Sequence, residues 1–247
     1  MKQINFMASM SVAACMLISF SSCNSGEEKK AETPAVDTVK AEVKAPEPPP
    51  PALVKPANVL IIKHKVANYT KWKAKYDAHD SVRLAYGLHN YVVARGLKDT
   101  NMVMIALKYD DLAKAKQFST SPDLKKAMQK AGVVGAPTFM YEDVQFSDTA
   151  TLTTALRVMV THKVKDWDAW KKVFESDKTK QTESGLVLRV LSFEAGDNHN
   201  VRVVAAVTDL KKAEAFFASK ELKAKMAESG VVGAPSIFYF NIVERHK

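Results

Sequence analysis

The segment AGVVGAP at residues 131–137 returns as SGVVGAP at residues 229–235. Adding 98 to the number of any residue between 57 and 145 lands on its counterpart between 155 and 243, with no gap. His64-Lys65-Val66 falls on His162-Lys163-Val164, Trp72-Lys73 on Trp170-Lys171, and Gly87-Leu88 on Gly185-Leu186. Roughly 25 of about 85 positions are identical, which marks an internal duplication. Two copies are too few for a solenoid, so a closed two-copy unit is expected.

Each copy reads alike. Val59–Val66 and Leu156–Val164 are rich in branched apolar residues and predict strands. Tyr69, Trp72, Tyr76, His79, Arg83 and Tyr86 recur at helical spacing and predict one helix over 69–86. Strands follow at 88–95 and 102–109, joined by the turn residues Lys98-Asp99-Thr100-Asn101. Asp111 and Asp209 suit helix N-caps. A last strand, 138–144 or 236–243, closes each copy. The order βαββαβ is the ferredoxin-like unit. The expectation is an α+β chain of two tandem ferredoxin-like repeats, packed sheet to sheet as an intramolecular α/β barrel. Such a chain is a monomer with an internal pseudo-dimer. Its expected segments are 1–22, 23–56, 57–145 for repeat one, a connector at 146–153, and 154–247 for repeat two.

The first two segments bear on location. Residues 1–22 have a lysine near the start, an apolar run and small residues at the end, the anatomy of a secretory signal. Phe20-Ser21-Ser22-Cys23 resembles a bacterial lipobox, which implies lipidation of Cys23 and a lipoprotein exported to a bacterial membrane, on the periplasmic or surface side of the outer membrane. Residues 23–56, rich in Pro, Glu and Lys, predict a tether that buries too little to order itself. Of the two cysteines, Cys15 leaves with the signal and Cys23 carries lipid, so the folded part has no thiol for a disulfide, metal site or nucleophile.

The net charge of +9 falls wholly on the folded part. Nucleic acid is not expected as its partner, because no helix-turn-helix, zinc-finger or RNP-like pattern occurs. Where copy one has Val59, Tyr91 and Met104, copy two has Arg157, Arg189 and Arg202. Each arginine lies in a predicted strand between more apolar neighbours, so alternation sets it on the opposite face. If that face lines the barrel, Arg157, Arg189, Arg202, Tyr91 and Met104 form a ligand site for a small apolar anion such as an aromatic or fatty acid or a tetrapyrrole. Alternatively, the arginines pair with Glu194, Glu244 or another acid at the rim. Spacing supports no metal site. Gly132 is expected to cap a helix and Gly135 to turn the chain. Trp72 and Trp170 are expected in the core.

HKVANYTKWKAKYDAH and DDLAKAKQFSTSPDLKKAMQKAGVVGAP resemble the dimeric α/β-barrel superfamily, specifically the proteins related to antibiotic-biosynthesis monooxygenases and often labelled cyclase-like. The resemblance covers nearly all of residues 57–243 and concerns fold and segment order; no catalytic signature travels with it. It implies a barrel whose two halves, elsewhere two chains, come here from one. It also implies two alternatives to a binding protein. One is a cofactor-independent monooxygenase or cyclase with His79, His89 and Tyr91 as acid–base candidates. The other is a haem protein with His64, His79, His89 or His162 as axial ligand. Otherwise no cofactor is expected.

Overall fold

In the computed structural model, which describes residues 58–246, the first copy runs β1 (Val59–Val66), α1 (Tyr69–Ala78), α2 (Asp80–Ala85), β2 (Leu88–Gly96), β3 (Met102–Tyr109), α3 (Leu112–Thr120), α4 (Pro122–Lys130) and β4 (Val133–Ser147). The second repeats it as β5 (Leu156–Val164), α5 (Trp167–Ser176), α6 (Lys178–Glu183), β6 (Leu186–Glu194), β7 (Asp197–Val207), α7 (Leu210–Ala218), α8 (Lys220–Glu228) and β8 (Val231–Arg245). The single helix expected over 69–86 is two, and so is its counterpart in the second copy. His79 and Asp177 leave helical geometry, at φ −93° and −96°, and make these breaks. Between α3 and α4 Ser121 is extended, its side chain accepts from the Leu124 amide, and Pro122 starts the new helix.

The strand order is β1-β3-β2-β8-β5-β7-β6-β4, with β4 returning to β1 as a closed barrel. Every pairing is antiparallel. This corrects the expectation of two ferredoxin-like sheets packed face to face. The copies join edge to edge, β2 to β8 through pairs such as Arg95↔Asn241 and β4 to β6 through pairs such as Asp143↔Phe193. A four-stranded sheet has two open edges, and mutual pairing satisfies their free amides and carbonyls.

Alternation then sorts the side chains. Leu60, Ile62, Val103, Ile105 and Leu107 point outward and pack beneath the helices against Trp72 and Phe118. Val59, Ile61, Met104, Ala106, Met140, Met159 and Phe240 form the inner cluster. Trp72 and Trp170 are each 3% exposed and stack on Tyr76 and Phe174 at 5.0 Å between ring centroids.

The doubled glycine motif is an irregular strand entry. β4 begins at Val133, five residues before the expected start. Its pairing with β1 jumps from Lys63↔Thr138 to Lys65↔Val134, so Gly135-Ala136-Pro137 bulges out, and Gly135 takes φ +74°. Gly132, at φ +75°, ends the preceding turn. Left-handed glycines differ in what surrounds them. A Cβ on Gly135 meets nothing within 4 Å, whereas one on Gly185 (φ +75°) falls 2.8 Å from Asp209 Cβ and 2.9 Å from its amide nitrogen. Gly135→Ala should therefore lose only the backbone penalty, about 1–2 kcal/mol. Gly185→Ala should lose clearly more, read as a lower urea midpoint.

The signal, Cys23 and the tether lie outside the described residues. Among the described residues no helix is long and apolar enough to cross a membrane. The expectation of a lipid anchor at Cys23 concerns residues outside that range.

Candidate functional site

The barrel interior is not filled. A cavity of about 410 Å³ opens toward the end where β1 starts and where β4 and β8 finish. Arg157, Arg189, Arg202, Tyr91 and Met104 all line it. Copy one supplies an apolar wall with Val59, Ile61, Met104 and Ala106, and copy two supplies the arginines.

Arg189 and Tyr91 reach the cavity by a device that alternation hides. The β6–β7 register shifts between Leu188 and Val190, and the β2–β3 register shifts between Asn90 and Val92. At each bulge two consecutive residues, Arg189-Val190 and Tyr91-Val92, face inward. The sequence reading that Arg189 opposes both its neighbours is therefore corrected: Val190 shares its face.

The three arginines have different environments. Arg202 is ion-paired with Glu142, Nη1 to Oε1 at 2.6 Å, and lies 3.9 Å from Glu194. The short contact is off hydrogen-bond geometry. Glu142, 1% exposed, also accepts from Ser192 Oγ at 2.8 Å. Burial nevertheless pushes the Glu142 carboxyl above its ordinary value, outweighing Arg202 and Ser192. Arg189 Nη1 donates to Asp148 Oδ2 at 2.7 Å and its Nη2 to the Ala150 carbonyl.

Arg157 is 6% exposed. Its Nη1 donates to the carbonyls of Thr154 and Leu156, at 2.7 and 2.9 Å. Among the described residues it takes part in no ion pair. Burial, then the neighbouring charges of Arg189 and Arg245, lower its pKa. The rim-pairing alternative thus describes two of the three arginines, through Glu142, Glu194 and Asp148. Glu244 instead holds Lys73 and His246.

The sequence reading missed Glu142, Ser192, Asp148, Lys108 and Arg245, which also line the cavity. Glu142 had a signal: it alternates with Met140 and Val144 on one strand face, and its counterpart in copy two is Phe240. Its ion-pair partner Arg202 has Met104 as counterpart, so the same spot in the other half is apolar.

The histidines lie elsewhere. His64 and His162 face outward beneath the helices, packed on Trp72 and Trp170 at 5.6 and 5.2 Å between centroids. Neither ring nitrogen of either has a hydrogen-bond partner, and burial lowers both to about 4. His89 meets Asp110 at 3.0 Å on the surface. His79 borders Phe118 at 6.4 Å. Of the acid–base candidates His79, His89 and Tyr91, only Tyr91 lines the barrel cavity. A haem does not fit the named ligands: His64 and His79 share a space of about 50 Å³ and His162 borders one of about 80 Å³, both far too small for a macrocycle, and His89 is exposed beside Asp110 and lines neither of these spaces nor the barrel cavity. Among the described residues no three His, Cys, Asp or Glu side chains group as a metal site.

No family model matches the chain, and no curated protein matches it. Solved structures do. A candidate monooxygenase of Fusobacterium nucleatum aligns at 15% identity over 77% of this chain and 94% of its own, with a TM-score of 0.50. An anthrone oxidase-like protein aligns at 11% identity over 77% and 92%, with a TM-score of 0.52. At such identities the likeness is one of fold. The resemblance to the antibiotic-biosynthesis monooxygenases is cut back accordingly to a likeness of fold, with no membership of that group shown.

Proposed function

We propose that the barrel cavity binds a small organic anion with an apolar body. One observation carries this reading: Arg157 is buried in the cavity wall without a carboxylate partner. A buried charge is costly unless paired, and Arg189 and Arg245 add to the same positive potential. A ligand anion supplies the missing charge, while Ile61, Met104, Met159 and Phe240 receive its body. The volume of about 410 Å³ is near the small end of ligand pockets, which favours a one- or two-ring acid over a tetrapyrrole.

Calorimetric titration with 2-naphthoate, with 2-naphthalenemethanol as the uncharged control, tests this. The acid should bind and the alcohol should bind far more weakly. Arg157→Met should weaken the acid by about 1.5–3 kcal/mol. It should leave the fold intact, because Val59 holds the corresponding place in copy one. Equal affinity for acid and alcohol, or for wild type and Arg157→Met, would refute the assignment.

The fold likeness to an anthrone oxidase-like protein favours a second reading, cofactor-independent oxidation of a phenolic or enolisable substrate. Glu142, the buried carboxyl with a raised pKa, is then the group placed to exchange a proton. Oxygen uptake with an anthrone, abolished in Glu142→Gln, supports it; no uptake by the wild type rejects it.

A further inference from the structure

We propose that the carboxylate drawn in by Arg157 is shared with its neighbour Arg189, and that Asp148 of the connector occupies the Arg189 side of that seat as an internal stand-in which the ligand displaces. The inference rests on the cavity reading above and adds a monocarboxylate as the ligand class. Arg189 is 5% exposed. Two of its nitrogens are engaged by the connector, Nη1 by the Asp148 carboxylate and Nη2 by the Ala150 carbonyl, while Nε is buried with no partner. Asp148, Thr149 and Thr151 line the cavity from a stretch between β4 and β5 that belongs to no helix or strand. A carboxylate on an apolar-walled guanidinium is the arrangement a ligand acid needs, and here the chain itself provides it.

The duplication supplies a control. In the other half, Tyr91 stands for Arg189 and His246 for Asp148. The main-chain bond is kept: Asp148 N donates to Arg189 O at 2.8 Å, and His246 N donates to Tyr91 O at 2.9 Å. The side-chain pair is not kept. Tyr91 accepts from Arg245 at 3.2 Å, and His246 turns to Glu244 at 2.7 Å. The strand exit therefore closes without an ion pair across it. The Asp148–Arg189 pair is an addition made in the half that carries the arginines.

Charge permits the exchange. The cavity is lined by Arg157, Arg189, Arg202, Arg245 and Lys108 against Glu142 and Asp148. Cations exceed carboxylates, so an incoming carboxylate replaces Asp148 on Arg189 without leaving the guanidinium unpaired. Asp148 is already partly exposed, with 20% of its side-chain surface in solvent, so it returns to water at small cost. No bond is made or broken; one carboxylate replaces another on a fixed fork.

The test is 2-naphthoate titration of wild type, Asp148→Asn and Arg189→Met, with hydrogen exchange followed over residues 149–153. Asp148→Asn keeps the side-chain shape and removes the competing charge, and should tighten 2-naphthoate about tenfold. Arg189→Met should weaken it by a similar factor and abolish the effect of Asp148→Asn in the double variant. The acid should speed exchange in 149–153; 2-naphthalenemethanol should not. If the wild type binds the acid and Asp148→Asn binds it no tighter, the stand-in is disproved while the cavity reading survives. If the acid binds no variant, both fall. Should Arg189→Met fail to fold, the Asp148→Asn affinity and the exchange rates decide alone.

Discussion

Acidifying the folded protein from pH 6.5 to 4 should remove on the order of 6 kcal/mol of stability, about half through each of His64 and His162. Both rings are buried, and burial lowers each from 6.5 to about 4. At about 1.36 kcal/mol per tenfold change in proton concentration, that gap is about 3 kcal/mol per ring. The sign follows from where the proton goes. Between pH 6.5 and 4 the unfolded chain protonates both histidines and the folded chain protonates neither, so acid favours unfolding. The full stability is present above 6.5 and the loss is complete below about 4. Glu142 opposes this weakly, because a carboxyl raised by burial is relieved as acid is added. Urea midpoints across this range should fall steeply in the wild type. They should fall much less in His64→Leu/His162→Leu, a variant that gives up no hydrogen bond, since neither ring makes one. Surface carboxylates are common to both proteins and cancel in the comparison. A profile equally steep in the double variant would show that the two rings hold their protons in the folded state.

Arg202→Met should destabilise the protein by about 3–5 kcal/mol at neutral pH, the usual consequence of leaving one member of a buried ion pair behind. Glu142, 1% exposed, would keep only Ser192. Glu142→Phe together with Arg202→Met should recover that loss. The pair then copies Phe240 and Met104, which hold the matching places across the pseudo-symmetry. Replacing a buried ion pair by well-packed apolar residues is often neutral or stabilising by about 1–4 kcal/mol. The deficit of the single variant relative to the wild type should shrink as pH falls toward 4.5, the ordinary value of the Glu142 carboxyl, because a protonated Glu142 no longer needs a cation; the loss through His64 and His162 is common to both proteins and cancels in the comparison. Chemical denaturation of the three proteins at neutral and acid pH checks both statements. A mild single variant at neutral pH would mean that Glu142 already carries a proton there.

The sequence disclosed what local physics writes into it. Branched runs marked the strands, Asp111 and Asp209 marked helix starts, and their amide partners Lys114 and Lys212 are seen. The fixed offset exposed the pseudo-symmetry, and comparing the copies singled out Arg157, Arg189 and Arg202. What stayed hidden depends on partners far along the chain. A bulge is set by the opposing strand, so nothing near Arg189 announces that Val190 faces the same way. Glu142 looks like one more acid until Arg202, 60 residues on, is placed beside it. The expectation of facing sheets failed for a related reason: edge pairing between Arg95 and Asn241 leaves no local trace. Of the three acid–base candidates, the helix break puts His79 against Phe118 and the strand start puts His89 beside Asp110, outside the cavity that Tyr91 lines.

The two seams also set an order of events. Within the first copy, β1 meets β3 and β4 as soon as residue 147 exists. The β2–β8 seam instead joins residues 92–96 to 240–245 and must await the last strand. Phe240, Ile242 and Arg245 of that strand form part of the cavity wall. Long-range closure of this kind is slow, and until it happens the anion has no complete site to recognise. A bound acid should therefore leave the refolding rate almost unchanged and act by slowing unfolding, because it grips only the finished ring.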